Sequence, residues 1–170
     1  MTKEQELQIR QRYCRITETL IEKKETVTTM ESCTAGLIAS LLTDTEGSSA
    51  ILKGAFVTYS NEAKVRQGVP EGVIAQYGVY SEETARAMAK ACREAYRADI
   101  GLGITGTMGN KDPENADSIP GEVFYAVETN ESRSSFHASV PPQQDRHAWK
   151  MAAAALVAEA LERVIKGGVD

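Results

Sequence analysis

Residues 26–36 read Thr26-Val27-Thr28-Thr29-Met30-Glu31-Ser32-Cys33-Thr34-Ala35-Gly36, a β-like run that ends in small hydroxyl residues and leads into a helical stretch. The pattern recurs at Ala55-Phe56-Val57-Thr58-Tyr59, which is followed by Ser60-Asn61-Glu62-Ala63-Lys64. A strand that ends this way and opens a helix exposes hydroxyls and free backbone N–H groups at the carboxyl edge of a sheet, where α/β proteins bind ligands. The two segments therefore predict a binding site at strand ends.

Helical and strand patterns alternate along the rest of the chain. A capping box at Thr2 and Gln5 predicts the first helix, and Ser81 and Asp145 begin two later ones. Further strands are predicted at Ile100–Thr105, Gly121–Thr129 and Ser134–Val140, the last two as an antiparallel pair. This order predicts an α/β fold, a three-layer α/β/α domain with a mixed, mostly parallel sheet. We expect residues 1–170 to form this single domain.

Composition narrows the class of protein. The 19 basic and 24 acidic residues give a net charge of −5, and no basic tract stands out, which argues against nucleic-acid or anionic-membrane binding. The longest apolar run is too short to span a membrane, and no signal peptide is recognisable. Three cysteines without metal-ligand spacing favour a reducing cytosol. We therefore predict a cytoplasmic protein whose chemistry needs no metal and no cofactor.

The longest irregular segment runs from Gly106 to Pro120, and a loop this long in a compact domain is typically functional or disordered. It leaves a strand that we expect beside the strand of Ser32, which favours the functional interpretation. Its carboxylates Asp112, Glu114 and Asp117 would repel an anionic ligand if they faced the site.

The two polar segments supply a serine, a tyrosine and a lysine, the parts of a Ser/Lys nucleophile system. Serine needs a base to remove its proton, and neither of the two histidines lies near a serine-bearing turn in sequence. Lys64, in the first turn of a predicted helix, would feel the positive end of the helix dipole, which favours its neutral, basic form.

Glu31–Gly36, Gly47–Ser49 and Phe56–Lys64 together resemble the C-terminal domain of the competence-damage-inducible protein CinA, a bacterial family that includes nicotinamide mononucleotide deamidases. The resemblance extends from about Thr26 to the last helix. It implies hydrolysis of nicotinamide mononucleotide to nicotinic acid mononucleotide and ammonia, in the recycling of pyridine nucleotides for NAD synthesis. Relatives carry a Gly-Pro turn and a glycine-rich run where this chain has Asn110, Lys111, Asp112 and Pro113.

The resemblance implies that Ser32 is the nucleophile, Lys64 the base and Tyr59 a proton relay, with N–H groups at the start of the Gly36 helix as oxyanion donors. Arg146 is a candidate phosphate ligand because a guanidinium binds phosphate bidentately. The partner is a small nucleotide substrate, and homo-oligomer formation stays open. The substrate-binding residues that we predict are Thr34, Gly36, Ser48, Ser49, Asn61, Thr105, Gly106 and Arg146.

Each of these residues also has an ordinary structural interpretation. Ser32 and Thr34 could cap a helix, Lys64 could be a solvated surface lysine, and Arg146 could pair with Asp145. Cys33 could be the nucleophile instead, although a small buried residue behind the turn is more typical. Two other functions stay open: an amidohydrolase acting on another small anionic amide, and a non-catalytic nucleotide-binding member of the family.

Overall fold

The computed structural model describes residues 1–116 and 118–167, which form one five-stranded sheet and the helices packed on it. None of the described helices is both long and apolar enough to cross a membrane. The elements in chain order are α1 (Lys3–Lys23), β1 (Val27–Glu31), α2 (Leu37–Thr43), a 3₁₀ turn (Ser48–Ala50), β2 (Leu52–Val57), α3 (Asn61–Arg66), α4 (Glu71–Tyr77), α5 (Glu82–Tyr96), β3 (Ile100–Gly106), β4 (Glu122–Glu128), β5 (Arg133–Ser139) and α6 (Arg146–Ile165).

The strand order is β2-β1-β3-β4-β5. β1 pairs in parallel with both β2 and β3, whereas β4 and β5 continue the sheet in antiparallel register. The predicted mixed α/β sheet is therefore confirmed, with three parallel strands and an antiparallel hairpin. The carboxyl ends of β1, β2 and β3 lie at one edge.

Apolar side chains and glycines alternate along β3, and this alternation explains how helices pack on both faces of the sheet. Ile100, Leu102 and Ile104 point into the main apolar core with residues of α1, α2 and α6. The intervening glycines face α5, and a Cβ on Gly103 would lie 2.1 Å from the carbonyl oxygen of Ala85. The missing side chains let α5 approach the sheet closely, so helices cover both faces.

Helix starts follow the sequence signals. The Thr2–Gln5 capping box forms in both directions, and Ser81 and Asp145 accept hydrogen bonds from backbone N–H groups of the turns that they cap. The Asp145 cap orients α6 so that its first residue, Arg146, lies at the carboxyl edge of the parallel strands. Two elements were not predicted: the seven-residue helix α4 and the 3₁₀ turn before β2.

Candidate active site

A cavity of about 430 Å³ opens at the carboxyl ends of β1, β2 and β3. One wall comes from the turn after β1 and from α3, and the other from the loop that follows β3. Six of the residues predicted from the sequence line it: Ser32, Tyr59, Asn61, Lys64, Gly106 and Arg146.

The centre of the cavity holds Ser32 and Lys64. Ser32 follows the last residue of β1, and its N–H donates to the carbonyl of Ile104, which fixes the turn against β3. Lys64 reaches across from α3, with Nζ 3.1 Å from Ser32 Oγ and 3.0 Å from the carbonyl oxygen of Thr58. Lys64 Nζ is therefore within hydrogen-bond distance of both the Ser32 hydroxyl and the Thr58 carbonyl, the geometry that a serine nucleophile with a lysine base requires.

Lys64 is not a surface lysine, because only 2% of it is exposed. Burial lowers its pKa from 10.5 to about 8, against the opposing attraction of Cys33, Asp112 and Glu62. An ammonium transferred out of water loses hydration, so the neutral amine gains relative to the charged form. A larger fraction of Lys64 is therefore neutral near pH 7 than for a lysine with the ordinary pKa.

The Cys33 thiol lines the same cavity, but its environment favours the neutral form. It is buried, and burial together with the nearby Glu31 carboxylate raises its pKa to about 12. A thiol attacks as its thiolate, which this environment suppresses. The local electrostatics therefore favour Ser32 over Cys33 as the nucleophile.

Tyr59 and Arg146 form the outer wall of the cavity. Arg146 donates to the Tyr59 hydroxyl at 2.8 Å and to Asn110 Oδ1 at 3.3 Å. Asp145 does not pair with it, because that carboxylate caps α6 through the N–H of Ala148. Within the described residues the Tyr59 hydroxyl contacts Arg146 rather than the Ser32–Lys64 pair, a position suited to substrate contact more than to proton relay.

The turn that carries Ser32 is held by the fully buried carboxylate of Glu31. Its oxygens accept from the hydroxyls of Thr29 (3.0 Å) and Thr34 (2.7 Å) and from three N–H groups of the α2 start, those of Gly36, Ile38 and Ala39, at 2.8–3.1 Å. A carboxylate at a helix N-terminus is stabilised by the free N–H groups and by the dipole. Glu31 thereby joins β1, the Ser32 turn and α2.

We expect Glu31→Gln to lower the free energy of unfolding by about 2–4 kcal/mol, measured by urea denaturation. The amide removes the charge and turns an N–H₂ group toward buried donors. Glu22→Gln, the same exchange at an exposed position of α1, should change stability by less than about 0.5 kcal/mol. Equal stability of the two variants would contradict a structural role for the Glu31 carboxylate.

The Glu31 contacts correct part of the predicted binding set. The N–H groups of Gly36, Ile38 and Ala39 are occupied by Glu31, and that of Leu37 donates to Thr34, so the α2 start is closed to a phosphate or an oxyanion. Thr34 is fully buried and donates to Glu31 instead of facing the cavity. An internal carboxylate occupies the anion site that the sequence predicted for the substrate.

Three other predicted binding residues also lie outside the cavity wall. Ser48 and Ser49 belong to the 3₁₀ turn that precedes β2, so they lie at the amino end of that strand, away from the site. Thr105 is buried, and its hydroxyl donates to the carbonyl of Val79, which holds the Val79–Tyr80 segment against the cavity. Its role is support of the wall.

The loop after β3 forms the second wall of the cavity. Gly106 starts it with φ +152°, where a Cβ would lie 2.5 Å from the carbonyl oxygen of Glu122. Asp112 accepts from the Tyr80 hydroxyl at 2.5 Å and from Asn115 Nδ2 at 2.6 Å, and Asn61 Nδ2 donates to Asn115 at 3.4 Å. Asp112 and Glu114 line the cavity, where their charges repel an anionic ligand, and Asp117 lies outside the described residues.

Comparison with known proteins agrees with this fold. The family model described as the CinA C-terminal domain matches residues 10–166. The chain belongs to the CinA C-terminal domain family. A CinA-like protein of Syntrophus aciditrophicus (strain SB) is 44% identical over 109 residues, 64% of this chain and 26% of that protein.

Solved structures share the fold of this CinA domain. The competence/damage inducible protein CihA from Agrobacterium tumefaciens superposes with a TM-score of 0.81 at 29% identity, covering 93% of this chain and 95% of that one. A CinA superfamily protein from Klebsiella pneumoniae 700603 gives a TM-score of 0.85 at 24% identity, covering 94% and 98% of the two chains. The chain spans about a quarter of the length of curated relatives such as the Syntrophus protein and one from Desulfovibrio desulfuricans.

Three contributors to this CinA site had no assigned role in the sequence analysis: Glu31, Thr58 and Tyr80. Glu31 precedes a helix start, and an acidic residue there is a known stabilising signal. The Thr58 carbonyl and the Tyr80 hydroxyl act through long-range contacts, to Lys64 and to Asp112, that no local pattern encodes.

Proposed function

We propose that the protein is an amidohydrolase in which Ser32 attacks a substrate carboxamide and Lys64 is the general base. The observation that carries this proposal is the buried Lys64 Nζ at 3.1 Å from Ser32 Oγ, inside a cavity large enough for a small molecule. The family relationship supports it. A non-catalytic member would have no need for a lysine buried against a serine at the cost of lost hydration.

In the first half of the reaction, neutral Lys64 Nζ takes the proton of Ser32 Oγ as that oxygen attacks the amide carbon. The Thr58 carbonyl accepts an N–H of Lys64 and aims the lone pair of the amine at Ser32. The tetrahedral intermediate collapses when the Lys64 ammonium returns the proton to the leaving nitrogen, which departs as ammonia. Ser32 is left as an acyl ester.

Water completes the cycle. Neutral Lys64 takes a proton from a water that attacks the ester carbon, and returns it to Ser32 Oγ as the carboxylic acid is released. The N–H of Cys33 follows the nucleophile directly and donates to no oxygen in the described part of the chain. We assign it the stabilisation of the oxyanion, in place of the α2 amides that Glu31 occupies.

For the substrate we propose nicotinamide mononucleotide, converted to nicotinic acid mononucleotide and ammonia in pyridine nucleotide recycling. Arg146, beside Tyr59 at the outer wall, supplies the charge for the phosphate. The carboxylate of Glu114 in the same wall favours a second candidate, another small anionic amide that carries less negative charge than the mononucleotide.

Ammonia release from the purified protein tests the proposal. The substrates are nicotinamide mononucleotide, its unphosphorylated riboside and a panel of other small amides. Release from the mononucleotide above all others supports the assignment, and release from another amide alone supports the second candidate. No ammonia from any of them would contradict an amidohydrolase.

We expect Arg146→Ala to lower kcat/KM for the mononucleotide by about 10- to 100-fold, because charged hydrogen bonds to an anion contribute roughly 1.5–3 kcal/mol. Activity on the riboside should change little, so most of the preference for the nucleotide disappears. Arg15→Ala, an equal loss of charge on the exposed surface of α1, serves as the control. An equal loss of activity on the mononucleotide and on the riboside would mean that Arg146 does not bind the phosphate.

A further inference from the structure

The carboxylate of Asp112 lines the cavity and is held by side chains of its own loop and of the Val79–Tyr80 segment. The Tyr80 hydroxyl and Asn115 Nδ2 donate to Oδ2, and the N–H of Glu114 donates to Oδ1 at 3.0 Å. These bonds, that from Tyr80 first, hold the pKa of Asp112 below its ordinary value. The wall therefore carries a fixed negative charge at neutral pH.

This charge faces a cavity that also holds cations. Lys64 lies close enough to Asp112 for each to shift the pKa of the other, and Arg146 lines the same space through Asn110 of the same loop. A purely anionic substrate would be attracted by Arg146 and repelled by Asp112. A substrate with a negative and a positive group would be attracted by both.

We propose that Asp112 is a specificity-determining residue that selects amides with a permanent positive charge near the carboxamide, the class of N-substituted pyridinium carboxamides. The inference rests on the proposed function, because it takes this cavity as the substrate site. In addition, it gives the loop after β3 a role in recognising the positive charge of the ring rather than the phosphate.

The hydrogen bonds of Asp112 favour recognition of a positive charge on the ligand over acceptance of a hydrogen bond from a ligand hydroxyl. Three donors already occupy the carboxylate, so little acceptor capacity remains, but its full negative charge is retained. In a partly enclosed cavity this charge acts on a ligand over several ångströms. Asp112 can therefore favour a cationic ring without a direct hydrogen bond to it.

Equilibrium binding to the Ser32→Ala protein, which cannot turn over, tests the inference by calorimetry. Two ligand pairs each have one member with a cationic ring and one with an uncharged ring: nicotinamide mononucleotide against its dihydro form, and N-methylated nicotinamide cation against nicotinamide. We expect the cationic member of each pair to bind about tenfold more tightly. Adding Asp112→Asn should bring the ratio close to one while the uncharged member keeps its affinity.

The amide introduced by Asp112→Asn retains an oxygen for the Tyr80 hydroxyl, so the substitution removes charge with little change of shape. Glu131→Gln, an equal change of charge in the turn at the opposite end of β4, should leave the ratio intact. A ratio near one in the protein that keeps Asp112, an unchanged ratio after Asp112→Asn, or no binding of either pair overturns the inference. Failure of the wild-type protein to release ammonia overturns the proposed function instead, and the ratio of the two affinities can still be measured.

Discussion

Ser32→Ala is expected to lower ammonia release by at least about 10³-fold, because it removes the hydroxyl that we propose forms the acyl ester. The Ser32 hydroxyl lies 3.1 Å from Lys64 Nζ, and the turn that carries it is fixed by Ile104 and Glu31 independently of that hydroxyl. Binding of substrate should therefore persist. The measurement is kcat by ammonia release beside Kd by calorimetry.

Cys33→Ala is the matched control, since it removes the neighbouring candidate nucleophile by a change of similar size. The buried thiol, with its raised pKa, should contribute little, and activity should stay within a few-fold of the wild type. The reverse result, an active Ser32→Ala protein and an inactive Cys33→Ala protein, would transfer the covalent step to the thiol.

Local signals were sufficient to predict most of the fold. The Thr2–Gln5 capping box, the Ser81 and Asp145 caps and the β-like runs each place an element correctly, because caps and strand patterns depend on residues a few positions apart. The meeting of Ser32 and Lys64 also followed, because two strands that are parallel must end at the same edge of the sheet.

The ligand contacts were harder to predict, and Glu31 shows why. An acidic residue before a helix is a general stabilising signal, but it does not specify that this side chain folds back over the start of α2. Only the three-dimensional turn brings its oxygens to the N–H groups of Gly36, Ile38 and Ala39. The N–H groups at the start of α2, which the sequence predicts as an anion site, are therefore already hydrogen-bonded to Glu31. The same limit applies to Tyr80, whose contact with Asp112 spans 32 residues.

Lys64→Arg is expected to be nearly inactive, with a loss of at least about 10²-fold in kcat/KM. The guanidinium keeps the positive charge but does not lose its proton in the working pH range, so it cannot accept one from Ser32. Lys64→Met, which keeps the apolar stem without the amine, should be equally inactive, and circular dichroism of both variants checks that they fold. Lys53→Arg on β2, an exposed position, is the control and should retain full activity.

The pH profile of the wild type tests the same lysine without a substitution. If the proposed base is the neutral amine of Lys64, kcat/KM should rise with pH through one ionisation near 8 and level off above it, in accord with the lowered pKa of Lys64. At pH 7 a pKa of about 8 leaves roughly one lysine in ten neutral, about 300-fold more than the ordinary value of 10.5 would allow. Burial of Lys64 therefore raises the fraction of neutral amine that can act as the proposed base at neutral pH. Activity that is flat between pH 6 and 9, or an active Lys64→Arg protein, would reduce Lys64 to a substrate ligand and leave Ser32 without an identified base.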